Sequence, residues 1–187
     1  CILNTDNQLI FYSNFDPEKD WVLNEHIIMD HPTIAGTTYL EMVRACLMEI
    51  NQEDYINFKD IIFLSPMVVK LGEKRSVFTI IDKQKDYFSF EIISRIDSDT
   101  FFNNEWIIHV RGKIYRTDKK QLALFDINEI KKRCNQTIFN GYSLAEKSTQ
   151  SSFISFGKRW NVLKKFDLGN NEGAIELELS DNFIKDL

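Results

Sequence analysis

Long apolar runs are missing from this sequence. Its purely hydrophobic stretches last only a few residues, far short of the ~20 that a membrane-crossing helix needs. Charge of one sign is missing as well. Acids and bases alternate along the chain to a net −5, so neither a basic patch for nucleic acid nor a like-charged disordered tail is present. Cysteine is scarce: Cys1, Cys46 and Cys134 make an odd number with no C-x-x-C pair, which argues against a disulfide framework and against structural zinc. The first residue is Cys1 rather than Met, and no basic, apolar and small-residue signal layout follows. The chain therefore reads as a cytoplasmic piece cut from a longer intracellular polypeptide.

What is present suits a globular core: 187 residues, 43% hydrophobic and 13% aromatic. Residues 9–12 read as a short strand, and 14–20, with Pro17, as a turn. A helix over 37–50 follows Gly36. Thr38 and Glu41 have capping-box spacing, and apolar residues cover most of the circumference, so the helix is expected to be central and buried, with Cys46, Met42, Leu47 and Met48 as core. Residues 51–54 end it. The period then changes to two. Strands are expected over 61–71 (interrupted by Pro66), 76–82, 87–96 and 105–116. In the last of these, Trp106, Ile108, Val110, Gly112 and Ile114 share one face; His109, Arg111 and Lys113 share the other, where His109 takes a solvent-side or structural role. One buried helix followed by an antiparallel meander is an α+β hotdog, a sheet wrapped around a central helix. Residues 1–118 form it, 119–151 connect, with a helical stretch at 127–134, and 152–187 begin a second, incomplete hotdog with strands over 153–163 and 173–179.

Residues 21–41 concentrate the chemistry. They hold His26 and His31, two of three histidines, on a polar loop that feeds the apolar helix, a common way to present a reactive side chain from a rigid support. His31 precedes Pro32 and reads as a loop residue. Asp30 reads as a turn residue bonding local backbone. A metal cluster of His26, Asp30 and His31 lacks further matched ligands.

The register of this stretch resembles dehydratase domains of modular polyketide synthases. Those domains carry a tryptophan, then H-x-x-x-G-x-x-x-x-P-G, then a helix reading roughly T-x-Y-L-E. Here the same positions are Trp21, His26, Asp30, Ala35, Gly36 and Thr38-Tyr39-Leu40-Glu41. Phe63-Leu64-Ser65-Pro66-Met67 looks like the family's strand ending in proline plus an apolar residue. Trp106-Ile107-Ile108-His109-Val110-Arg111-Gly112 looks like its W-x-x-H-x-x-G strand. Phe156-Gly157-Lys158-Arg159-Trp160-Asn161 looks like the aromatic-Gly-Pro-x-aromatic segment opening its second hotdog. The Arg-Trp-Asn version is similar to assembly lines that use free-standing acyltransferases.

The resemblance implies a double hotdog, with the catalytic histidine in the first repeat and an aspartate in the second, beyond Leu187. It implies a β-hydroxyacyl thioester substrate, no bound cofactor, and delivery on the phosphopantetheine of an acyl carrier protein. Partners would be that carrier, neighbouring synthase domains and a second copy in a homodimer, with no nucleic acid or membrane. His26 would be the general base, since imidazole titrates near ~6.5. The N–H of Gly36 would stabilise the thioester oxygen at the helix start. Asp30, Ala35, Phe156, Gly157 and Trp160 would occupy tunnel or motif positions. Arg159 would meet the phosphopantetheine phosphate or sit in a surface ion pair.

Two departures bear on the reaction. Asp30 replaces the motif glycine and Ala35 the motif proline. Loss of that proline accompanies relatives that shift an α,β double bond to β,γ without losing water. An enoyl isomerase is therefore the alternative reading, and a non-catalytic half-domain used for docking is a third.

Overall fold

The computed structural model describes residues 1–50, 55–95, 106–117, 125–141, 149–179 and 181–184. In chain order its elements are β1 (Leu3–Asn4), β2 (Gln8–Phe15), α1 (Trp21–Asn24), β3 (His26–Ile28), β4 (His31–Pro32), α2 (Gly36–Glu49), β5 (Tyr55–Phe63), β6 (Arg75–Lys83), β7 (Phe88–Arg95), β8 (Trp106–Thr117), α3 (Ile127–Arg133), β9 (Gln136–Asn140), β10 (Ile154–Phe156), β11 (Leu163–Leu168), β12 (Gly173–Leu177) and α4 (Asp181–Ile184). They divide into two compact units, Cys1–Asn24 with His31–Lys120, and Glu25–Asp30 with Gln121–Leu187. The stretch expected to be a connector thus carries α3 and β9, and His26 is grouped with the C-terminal unit.

The first unit is the expected hotdog. Six antiparallel strands run β1-β2-β6-β7-β8-β5. Alternate residues point inward: Leu9 and Phe11, Val77 and Ile81, Phe90 and Ile92, Val110 and Ile114. All are buried around Tyr39, Val43, Cys46 and Leu47 of α2. That is the period-two pattern of a sheet with one covered face, meeting the i, i+4, i+7, i+8 stripe of one helix. The buried Cys46 thiol is pushed up to about 11, chiefly by burial, so it behaves as a small core residue.

Several expectations change. The helix starts one residue earlier than expected, at Gly36, with Ala35 as its N-cap and no side-chain cap bond. Thr38 and Glu41 therefore form no capping box. The Thr38 N–H instead donates to the Ala35 carbonyl at 3.0 Å, and Glu41 pairs with Arg44 one turn along. Nor is α2 buried all round. Ala45 is exposed and Met48 is 51% exposed, because the sheet lines only one side of the helix. The expected helix terminator at 51–54 lies outside the described residues.

The first strand after α2 runs over Tyr55–Phe63 rather than 61–71. It is bulged between Lys59 and Ile62, where Asp60 has φ 52°. The chain then leaves the sheet around Pro66, which has no N–H for a ladder. Beyond it, the Ile34 N–H reaches Met67 O at 3.0 Å and the Val69 N–H reaches Pro32 O at 3.0 Å. Gly72 turns the chain at φ 81°.

The second unit holds two small sheets. β3 pairs with β10, and β11 lies between β12 and β9, all antiparallel. α3 is capped by Asp126, whose Oδ1 accepts the N–H groups of Asn128 at 2.9 Å and Glu129 at 3.1 Å. Asp167 is buried on β11. Its carboxylate is held by Lys165 Nζ at 2.6 Å and Thr137 Oγ1 at 2.7 Å, and both contacts keep it below the usual carboxylate range.

Candidate active site

His26 opens β3, and its Cα partner on β10 is Phe156. The His26 ring is half-buried and lies 5.5 Å from Phe156 and 5.3 Å from Trp160, centroid to centroid, tilted by 48° and 39°. Phe156 and Trp160 are themselves 5.7 Å apart. Three rings therefore meet in a triangle, each within the range of favourable aromatic contact. The motif residues Phe156, Gly157, Arg159 and Trp160 are thus brought together with His26 inside one unit.

The turn that delivers Trp160 is a single 3-10 turn, Lys158–Trp160, capped by Gly157. Glu25, next to His26, holds it at three points. Its carbonyl accepts the Gly157 N–H at 2.8 Å. Its Oε2 accepts the Arg159 backbone N–H at 2.6 Å. Its Oε1 is ion-paired with Arg159 Nη1. A Cβ at position 157 would run into the Glu25 side chain, so this position needs glycine for close approach. Arg159 thus forms an ion pair with Glu25.

Asp30 follows Met29 at the end of this segment. Both have left-handed backbone, φ 65° and 48°, the pair of values that a type I′ turn uses and that favours glycine at the second position. Asp30 therefore occupies a position with a backbone reason for glycine. Asp30 is exposed.

Gly36 and Ala35 belong to the first unit. Ala35 has φ −71°, inside the window that proline enforces, so a proline would fit this backbone position. Gly36 is the first helical residue, exposed, and the helix end carries no side-chain cap. A helix N-terminus presents unpaired N–H groups with partial positive charge. The Phe63 ring packs against Gly36 closely enough that a Cβ there would sit 3.3 Å from it.

One residue of potential interest was placed on the wrong face by its sequence pattern. His109 is 2% exposed, not solvent-facing. The register of β7 with β8 slips between Ile92↔Val110 and Ile93↔Ile108, leaving His109 as the extra residue of a bulge. Before the bulge, Trp106 and Ile108 are exposed; after it, Val110 and Ile114 are buried. His109 Nδ1 lies 3.0 Å from the Ser65 carbonyl and Nε2 lies 2.8 Å from Ser94 Oγ. A carbonyl can only accept, which assigns the hydrogen to Nδ1 and leaves Nε2 to accept from Ser94. Tyr39 stacks on the ring at 6.2 Å, and its hydroxyl accepts the Met67 N–H at 3.2 Å. Burial pushes the Tyr39 phenol up.

Comparison with known proteins follows the same lines. The Polyketide synthase dehydratase domain family matches residues 2–95, which is half of the chain. Polyketide synthase PksM of Bacillus subtilis (strain 168) is 20% identical over 174 residues, 90% of this chain and 4% of that protein. The dehydratase domain from the CurF module of curacin polyketide synthase superposes with TM-score 0.84 at 20% identity, over 100% of this chain and 65% of that one. A trans-AT polyketide synthase dehydratase domain from Brevibacillus brevis gives 0.81 at 17% identity, over 95% and 62%. The chain spans a little under two-thirds of the solved domains it matches. With half of its length under the family's own pattern, the chain belongs to the polyketide synthase dehydratase family.

Proposed function

We propose that this chain acts on a β-hydroxyacyl thioester carried on the phosphopantetheine of an acyl carrier protein, and removes water with His26 as general base. His26 takes the α-proton. The C–H pair becomes the new double bond as the β-carbon–oxygen bond breaks, and the hydroxyl leaves as water once protonated. The acid for that step is assigned to the aspartate that the family resemblance implies in the second repeat. Negative charge grows on the thioester oxygen as the proton leaves, and the N–H of Gly36 is assigned to it. No cofactor is required by this chemistry.

The observation that carries the reading is the His26 ring seated against Phe156 and Trp160, at the family's histidine position. Among the solved relatives, one inactive CurK dehydratase has phenylalanine in place of a histidine, and another has asparagine in place of an aspartate. These support a histidine–aspartate pair as the working groups.

A second reading is favoured by Asp30 and Ala35. An enoyl isomerase moves one proton from the γ- to the α-carbon and protonates no hydroxyl, so His26 suffices as its base. Incubating the domain with β-hydroxyacyl and α,β-enoyl carrier-protein thioesters separates the two. Water loss assigns the dehydratase; γ-proton exchange without water loss assigns the isomerase. If neither occurs, the docking half-domain is the correct account. The same setting supplies the partners: the carrier protein, neighbouring synthase domains and a second copy in a cytoplasmic homodimer, in an assembly line of the free-standing acyltransferase type.

A further inference from the structure

We propose that Glu25 is a positioning residue for His26: its carboxylate clamps the Gly157–Trp160 turn, and the clamp fixes the Trp160 ring that packs on the imidazole. This deepens the assignment of His26 as base and rests on it for its catalytic meaning.

The geometry is specific. Glu25 immediately precedes β3, which begins at His26. The Gly157 N–H bond to its carbonyl extends the β3–β10 ladder by one step. Beyond that step the chain must turn, and the Glu25 side chain takes over: one oxygen on the Arg159 N–H, the other on the Arg159 guanidinium. The carboxylate side chain is 15% exposed and the guanidinium 23%. A pair this sheltered is screened less than a surface pair, and loss of one partner strands the other's charge. Glycine at 157 is the space the carboxylate passes through. The turn so held carries Trp160, while Phe156 is fixed by the ladder. His26 touches both rings.

Arg159 is the second half of the clamp. Its backbone N–H and its guanidinium meet the two oxygens of one carboxylate, an arrangement that ties side-chain position to backbone position. A glutamine at 25 keeps an oxygen for the backbone N–H and drops the ion pair; an alanine drops both.

The test combines a spectroscopic readout with kinetics, on Glu25→Ala, Glu25→Gln, Arg159→Ala and Arg159→Lys. The ring carbon–proton NMR signals of His26, identified by their disappearance in His26→Ala, are displaced by the currents of Phe156 and Trp160. Glu25→Ala and Arg159→Ala are expected to move both signals toward those of an unstructured histidine. Glu25→Gln and Arg159→Lys are expected to fall between. Glu25→Gln keeps shape and acceptor, so it reports even where Glu25→Ala does not fold.

In the carrier-protein assay, Glu25→Ala is expected to lower kcat by about 10- to 100-fold, the scale of a misplaced reacting group, with KM within about twofold. His26 signals unmoved in both Glu25 variants overturn the proposal. So does an Arg159→Ala variant whose KM rises at unchanged kcat, which assigns Arg159 to the phosphopantetheine phosphate instead. If the signals move as expected while the wild-type chain turns over no thioester, the clamp stands and the reaction assignment fails.

Discussion

Met29 and Asp30 are two consecutive non-glycine residues with φ 48° and 65°. A left-handed conformation costs an L-residue roughly 1–2 kcal/mol, less for aspartate than for most. Glycine at 30 removes that strain, so Asp30→Gly is expected to raise stability by about 0.5–1 kcal/mol, or a few degrees in Tm for a chain of this size. A melt that falls instead gives Asp30 a stabilising contact that outweighs its backbone. His109 makes a pH-dependent prediction. Burial holds its pKa below the ordinary histidine value, with the Ser65 bond opposing and the Arg75 charge adding. Its proton therefore binds the unfolded chain first as pH falls. The stability linked to it is complete above about 6.5 and is lost as pH drops below that value. Melts at pH 7.5 and 5.5 should show a larger loss in the wild type than in His109→Gln. Equal losses would mean that His109 does not titrate differently on folding. Sequence pattern placed His109 on the wrong face because Ile107 and Ile108 are both apolar, so a bulge leaves no mark in the alternation.

At the scale of the element, α2 shows what an apolar sequence can and cannot say. Its position was legible to within one residue at each end, and its role as the helix within the sheet was legible too. Its burial was not. Met48 and Leu47 are equally apolar, yet the sheet covers Leu47 (2% exposed) and leaves Met48 51% exposed. Leu47→Ala is therefore expected to cost about 2–5 kcal/mol, whereas Met48→Lys should stay within about 0.5 kcal/mol. Chemical denaturation of the two variants checks this; similar midpoints would contradict the packing described. The capping box at Thr38 failed for a related reason. The spacing was right, but the chain enters the helix from Ala35, and a hydroxyl at the third helical position has no free N–H to cap. That leaves the helix end open near Gly36, which the proposed carbonyl role requires.

At the scale of the whole molecule, the order of weak motifs carried more than any one of them. The Trp21, His26 and Gly36 register, the Phe63–Met67 strand end and the Phe156–Trp160 segment together pointed to the family, and half of the chain matches it. The clamp by Glu25 was not legible. It joins residues 134 positions apart, and glutamate followed by histidine carries no pattern of its own. The second sheet also differs from the first. On β12 the apolar residues Ile175 and Leu177 are exposed at 60% and 65%, while one face of the six-stranded sheet is covered by α2. The most direct measurement is exchange of the α-proton of a β-hydroxyacyl carrier-protein thioester with solvent, in wild type and His26→Ala. With His26 as base, the wild type exchanges or eliminates, and His26→Ala loses at least about 100-fold of that rate at an unchanged melting temperature. Exchange at the wild-type rate in His26→Ala contradicts it.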